Sequence, residues 1–196
     1  MPSSGWARYG AETPDGELIG AIQEGVLEAF TALVEKHQRS LINFFFHFSW
    51  DRAISEDCAQ EVFLKLYTHL GSYEPQAKFT TFLFRVARNH WIDRVRASRG
   101  RTVSLEADEE GGGLKDRLPA RAESPVETLT RQETREQMRR AIDALPEDQR
   151  VVVVLSELEG LKYHEISEIL DVPVGTVKSR MFTAMQKLKE AIGDEL

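Results

Sequence analysis

Between Arg85 and Arg101 the sequence sets six arginines (85, 88, 94, 96, 99 and 101) against one acid, Asp93. They lie in FTTFLFRVARNHWIDRVRASRGR, residues 79–101, a stretch that reads as one helix with two unlike faces. Phe84, Ala87, Trp91 and Val95 recur at helical spacing and make an apolar stripe. Arg85, Asn89, Asp93 and Arg96 fall within a narrow arc on another side. Guanidinium forks pair with phosphates and base edges. Asn can pair with an adenine edge, and aromatic rings beside such a face can stack on exposed bases. The chemistry implied is recognition of nucleic acid. Taken alone, the same pattern also describes a solvated amphipathic helix.

Two further clusters have the same character of recognition rather than catalysis. Thr176, Lys178, Ser179, Arg180, Phe182, Thr183 and Lys187 place small hydroxyls and cations near the start of a short C-terminal helix, which is what a major-groove reader requires. Asp57, Gln60, Glu61 and Leu64 share one face of an earlier helix, a polar face carrying one apolar residue. Such a face can dock a partner or can simply be wet.

Composition narrows the classes. The chain has 196 residues, with 41% hydrophobic and 29% charged content, ordinary for a globular protein. Its formal net charge of -7 argues against indiscriminate coating of DNA, yet local basic faces set the field that a polyanion meets. This combination suits a protein that binds DNA only when another partner places it. A single cysteine, Cys58, excludes an intramolecular disulfide framework and a multi-cysteine metal site, and its helical context predicts a small buried hydrophobe. The five histidines (37, 47, 69, 90 and 164) form no HxxxH or HExxH pair, so no metal is expected. No P-loop, glycine-rich phosphate loop or GxSxG motif occurs, which argues against an enzyme and against a cofactor. Neither a signal peptide nor an apolar run of membrane-spanning length is present, so the expectation is a cytoplasmic chain with no membrane span.

The elements that must position these residues are helical throughout. Residues 1–14 predict a frayed tail. A short helix over Asp15–Glu24 is broken by Gly25. From Val26, the residues Phe30, Leu33, Val34, His37, Leu41, Ile42 and Phe45 recur at helical spacing, and Phe44-Phe45-Phe46 predicts a buried junction of several helices. A break at 49–52 leads to a third helix, Ala53–Leu70, with Ser55 and Asp57 as start signal and Gly71 as stop. Val62, Phe63, Leu66, Tyr67 and Leu70 are its core side. Pro75 marks a loop that presents Tyr73 and Lys78 ahead of the arginine helix.

After Arg101 the sequence turns acidic, Gly- and Pro-containing and aperiodic, which predicts a flexible linker over 100–127. Helical period resumes over Val126–Leu145. Pro146-Glu147-Asp148 starts another helix, with acids where the dipole favours them. Val151–Leu155 reads as buried helix rather than strand, and Gly160 ends it. Tyr163–Leu170, the turn Asp171-Val172-Pro173 and a helix from Val174 or Gly175 then make a helix-turn-helix. In it Ile166, Ile169, Leu170, Val177, Met181, Ala184 and Leu188 face inward. The predicted fold is all-α: two small helical domains, 15–99 and 128–196, joined by the linker.

At this level the chain resembles a bacterial RNA polymerase sigma factor of the extracytoplasmic-function (ECF) type. LPEDQRVVVVLSELEGLKYHEISEILDVPVGTVKSRMFTAMQKLKEAI is similar to region four of that family. SEDCAQEVFLKLY through FTTFLFRVARNHWIDRVR is similar to region two. Two modules without the long intervening segment of primary sigma factors fit the ECF type. The resemblance implies that Asp57, Gln60, Glu61, Phe63 and Leu64 grip the beta-prime clamp helices of core RNA polymerase, and that region four meets the beta flap. It implies that Tyr73, Lys78 and Phe82 capture a base flipped from the minus-ten element, while Arg85, Arg88, Asn89 and Arg96 hold the opened strand. Thr176, Lys178, Ser179, Arg180, Phe182, Thr183 and Lys187 are then readers of the minus-thirty-five element, with Thr183 standing where some relatives carry Arg. Promoter DNA, both duplex and single-stranded, and an anti-sigma factor are the further implied partners. With the chain stopping at Leu196, no C-terminal regulatory extension is expected. The alternative reading is a free-standing helix-turn-helix regulator that binds duplex DNA without polymerase.

Overall fold

A computed structural model of the chain describes residues 9–71, 73, 78–102 and 125–193. Among them every regular element is helical: α1 Asp15–Gln23, α2 Leu27–Ser49, α3 Arg52–Leu70, α4 Phe79–Thr102, α5 Pro125–Asp143, α6 Glu147–Val153 with a π-helical continuation Val154–Leu158, α7 Tyr163–Leu170 and α8 Val174–Ile192. The chain divides into two compact units, with the change at Arg99–Gly100.

The N-terminal unit is built on α2. Its face Ala29, Ala32, Leu33, Leu41, Phe44 and Phe45 is buried. Cys58, Ala59, Val62, Phe63, Leu66 and Leu70 of α3 are buried likewise, as are Phe79, Leu83, Phe84 and Ala87 of α4. Phe44 is the centre of this core, its ring 5.4 Å from Phe45, 5.0 Å from Phe48 and 5.4 Å from Phe84. Edge and tilted contacts of this kind add to the area term that aromatic burial supplies. The triple phenylalanine is therefore buried in two parts of three, since Phe46 is 36% exposed and packs on Trp50.

Local chemistry departs from the expected signals at three places. The cap of α3 is Asp51, whose side chain accepts a hydrogen bond from the Ile54 amide at 3.0 Å. Ser55 lies inside the helix instead, its hydroxyl donating to the Asp51 carbonyl at 2.6 Å. Tyr67, expected in the core, is 52% exposed and stands edge-on to Phe30 at 4.9 Å. Part of the expected tail is tied down. The Thr13 amide donates to the Gly10 carbonyl at 3.0 Å, Lys36 donates to the Thr13 carbonyl at 2.8 Å, and Asp15 pairs with both Lys36 and His37. Residues 1–8 lie outside the described residues.

The C-terminal unit surrounds the Val151–Leu155 run, all five of whose residues are buried. The run is helical and passes from α to π geometry at Val154. Gly160, at φ 68°, ends it in the left-handed region where a Cβ is costly. Arg150 caps the preceding helix: it donates to the carbonyls of Asp143 and Leu145 and pairs with the Asp143 carboxylate at 3.1 Å. These are the orphan carbonyls every helix end leaves. Val177, Met181, Ala184 and Leu188 form the buried stripe of α8, as their spacing predicts. Helix enters the expected linker from both sides, with α4 running to Thr102 and α5 beginning at Pro125. Residues 103–124 of that linker lie outside the described residues.

Candidate nucleic-acid interface

The face of α4 forms because Phe84 and Ala87 turn inward, at 3% and 0% exposure, so the residues between them must face out. Arg85, Asn89, Asp93 and Arg96 are exposed and Arg88 is half-buried, its guanidinium 3.4 Å from Asn89 Oδ1. Three of the cations and the amide expected on this surface thus share it.

At the head of α4 lies an aromatic pair. The Tyr73 ring is 4.5 Å from that of Phe82 with 33° between planes, and Phe79 closes the far side at 6.4 Å from Phe82. Tyr73 is held by its backbone: Gln23 Nε2 donates to the Tyr73 carbonyl at 2.7 Å and to the Leu70 carbonyl at 3.2 Å. Burial pushes the Tyr73 phenol pKa upward, partly opposed by the Arg85 charge, so the hydroxyl keeps its proton. That hydroxyl oxygen is buried without a partner. Beside the pair opens a groove of about 470 Å³, lined by Asp15, Gly16, Ile19, Tyr73, Lys78, Phe79 and Thr80. A flat ring, an unused hydroxyl and a nearby ammonium group around an apolar groove can receive a planar heterocycle carrying a phosphate. The loop residues 72 and 74–77 lie outside the described residues.

Of the five α3 residues expected to meet a partner, four are exposed together. Asp57, Gln60, Glu61 and Leu64 are exposed, Leu64 at 62%. Phe63 does not share that face: at 7% exposure it belongs to the core, where the neighbouring stripe of the same helix packs. Sequence reasoning missed how the apolar patch continues. Tyr67 follows Leu64 by one turn and touches Phe30, and Leu27, 60% exposed, follows on α2. The signal was present in the matching three-residue spacings of Leu27 with Phe30 and Leu64 with Tyr67, off the buried stripes.

In the C-terminal unit the turn from α7 to α8 is set by Asp171 at φ 54° and by Pro173, which fixes the entry to α8. Lys178, Ser179, Phe182 and Lys187 are exposed, Phe182 at 66%; Thr176, Arg180 and Thr183 are half-buried. Ser179 donates its hydroxyl proton to the Thr176 carbonyl at 3.0 Å, and Thr183 does the same to Ser179 at 3.0 Å. Both hydroxyls are therefore oriented as acceptors toward the outside. Arg180 Nε is 3.2 Å from Asp148 Oδ2, a partner on another helix that spacing along α8 does not reveal. Met185, 40% exposed, was also missed. Among the described residues no group of three or more His, Cys, Asp or Glu is placed to hold a metal, and no helix is long and apolar enough to cross a membrane.

Comparison with known proteins decides what these surfaces belong to. The sequence matches Sigma-70 region 2 over residues 33–101 and Sigma-70 region 4 over residues 135–188. It is 36% identical over 185 residues to the RNA polymerase sigma-H factor of Pseudomonas aeruginosa, covering 91% of this chain and 93% of that one. The chain belongs to the sigma-70 family. Within the family it is of ECF type: the ECF RNA polymerase sigma-E factor of Escherichia coli K12 is 33% identical to it over 185 residues, again 91% of this chain and 94% of that relative. This sigma factor also shares its fold with two solved structures. One is CnrH in complex with the cytosolic domain of CnrY, at TM-score 0.64 and 20% identity, covering 93% of this chain and 99% of that one. The other is the sigma factor RpoE of Bartonella quintana in complex with the anti-sigma factor NepR, at TM-score 0.64 and 24% identity, covering 85% and 98%. The protein is an alternative sigma factor, which directs core RNA polymerase in promoter recognition and transcription initiation. A free-standing regulator would need only the helix-turn-helix, whereas region 2 is matched as well.

Proposed function

We propose that this sigma factor divides promoter recognition among three surfaces. The α3 face of Asp57, Gln60, Glu61 and Leu64, extended by Tyr67, docks on the beta-prime clamp helices of core polymerase, and the C-terminal unit meets the beta flap. The groove lined by Tyr73 and Lys78, with Phe82 packed against Tyr73, takes one base flipped from the minus-ten element. Arg85, Arg88, Asn89 and Arg96 hold the strand that base came from. Thr176, Lys178, Ser179, Arg180, Phe182, Thr183 and Lys187 on α8 read the minus-thirty-five duplex. The protein performs no catalysis itself and acts in the cytoplasm. An anti-sigma partner covers the exposed docking and DNA faces in the resting state, a reading supported by the structural relatives, which were solved with CnrY and with the anti-sigma factor NepR bound.

The single observation that carries this reading is the tilted Tyr73–Phe82 pair beside an open groove, at the head of a cationic helix. Flipping a base out of the stack costs a few kcal/mol. Stacking on an aromatic ring returns about 1–3 kcal/mol per base. One captured base therefore comes close to balance, and the cations of α4 supply the remainder through the backbone phosphates. The whole chain need not be basic, because two small modules on one chain gain by effective concentration once polymerase places them.

Run-off transcription with purified core polymerase is the test. The reading expects a promoter-specific product that needs both core and this chain, and loss of strand opening in Tyr73→Ala. Binding of the isolated chain to duplex promoter, with no complex with core, would favour the regulator instead.

A further inference from the structure

The recognition helix carries one arginine that is paired with a carboxylate from another helix. Arg180 Nε lies 3.2 Å from Asp148 Oδ2, and the Arg180 side chain is 27% exposed against 51% for Asp148. Asp148 sits in the first turn of α6, an element that packs against α8. Its carboxylate is thus set by a helix other than the one that reads DNA. An arginine side chain has many rotamers, and its guanidinium is a planar fork with five donors. A carboxylate beside the Nε edge favours the side-chain rotamers that keep that edge turned toward α6. It leaves the two terminal amino groups for another acceptor, and those are the groups that pair with the O6 and N7 of guanine.

Asp148 has a second consequence through its charge. A carboxylate beside a DNA-reading helix repels phosphate, so it lowers affinity for any duplex. Specificity rises when wrong partners are penalised more than right ones. An arginine paired with Asp148 falls back to a phosphate less readily than a free one when the base is wrong, and phosphate contacts are indifferent to sequence.

We propose that Asp148 is a positioning residue for upstream promoter reading: it holds Arg180 by its Nε edge, so that the terminal guanidinium groups address base edges rather than phosphates. The inference rests on α8 being the minus-thirty-five reader. It needs no contact of Asp148 with DNA.

The experiment uses the full chain with core polymerase and a promoter library randomised across the upstream element, with transcripts counted per sequence. Arg180→Ala should flatten base preference at one or two adjacent positions. Asp148→Asn should flatten the same positions, by roughly tenfold or less, a part of what one bidentate arginine–guanine pair discriminates. Asp148→Glu should restore the preference. Asp148→Asn added to Arg180→Ala should change nothing further in the profile. With Arg180 released to a phosphate, holoenzyme binding by Asp148→Asn should also grow more salt-dependent, the log–log slope steepening by about one. If Arg180→Ala leaves the profile unchanged while Lys178→Ala or Ser179→Ala alters it, the inference falls and the α8 reading stands; if none of the three alters it, α8 is not the reader and the inference falls with that reading. If Arg180→Ala flattens it and Asp148→Asn does not, the inference alone is overturned. A loss of transcripts spread evenly over all sequences in Asp148→Asn would equally overturn it, since that is the signature of a damaged fold.

Discussion

Lys65 on α3 donates a hydrogen bond to Nδ1 of His90 on α4 at 3.0 Å, and the far nitrogen of the same ring, Nε2, lies 3.7 Å from Glu61 Oε2. The helix that carries Asp57, Gln60 and Leu64 and the helix that carries the arginines are thereby joined by one imidazole. His90 is buried at 6% exposure, and its Nε2 has no hydrogen-bond partner. An ammonium on Nδ1 requires that nitrogen to be an acceptor, so the proton of the neutral ring sits on Nε2, facing Glu61.

This arrangement predicts a pH dependence. Burial, then the Lys65 charge, lowers the His90 pKa from its ordinary value of 6.5, with Glu61 opposing. Burial alone lowers His47 in the same direction. For a histidine with a lowered folded pKa, the unfolded chain takes up protons first as pH falls. Stability is therefore full above the unfolded value and is lost as pH falls below it toward the folded value. Urea unfolding of the N-terminal unit should show a falling midpoint between pH 7.5 and pH 5.5. His90→Gln and His47→Gln should each flatten that slope, and a midpoint independent of pH over this range would refute the assignment.

Two neighbours on α3 should behave in opposite ways. Phe63, 7% exposed, is packed, so Phe63→Ala should cost about 3–5 kcal/mol of folding stability. Leu64, 62% exposed, should tolerate Leu64→Asp within about 0.5 kcal/mol, because surface changes away from packed features are nearly neutral. Affinity for core polymerase should nevertheless fall in Leu64→Asp. Thermal melts and a core-binding titration on both variants check the pair, and an unchanged core affinity in Leu64→Asp would remove that residue from the docking face.

The Tyr73 hydroxyl separates fold from function. It is buried without a partner, a condition that costs about 1–3 kcal/mol. Tyr73→Phe should therefore be neutral or slightly stabilising in the free chain. Tyr73→Ala removes the ring that meets Phe82 and should lower open-complex formation roughly 5- to 150-fold, the equivalent of about 1–3 kcal/mol of base stacking. Melting temperatures of both variants beside their open-complex yields make the comparison. Equal yields for Tyr73→Ala and the parent would exclude the ring from strand capture.

Much of this is legible in the sequence. The apolar stripe of α8 falls where helical period puts it, and so do Phe84 and Ala87 of α4, because burial of one face is what makes those helices stable, while Trp91 and Val95 further along α4 are only half-buried. The exposed faces of Arg85, Asn89 and Lys178 follow as the complement. What escaped depends on partners far along the chain or on competition between similar signals. Ser55 looks like a cap, but Asp51 offers a carboxylate to the Ile54 amide, and the serine turns back to a carbonyl instead. Tyr67 lies at the margin of the α3 stripe, and Phe30 on another helix decides that it stays outside. Trp50 takes a left-handed conformation at φ 52°, which no glycine or asparagine announces. The Asp148–Arg180 pair joins α6 to α8, and spacing within either helix is silent about it.

Permanganate mapping of unpaired thymines on a promoter bound by holoenzyme tests the central claim most directly. Arg85→Ala combined with Asn89→Ala alters the exposed face of α4 and leaves its buried stripe intact. With this variant, thymine reactivity across the minus-ten element should drop at least tenfold, while protection of the upstream duplex persists. Reactivity equal to that of the parent chain would contradict the claim that this helix holds the opened strand.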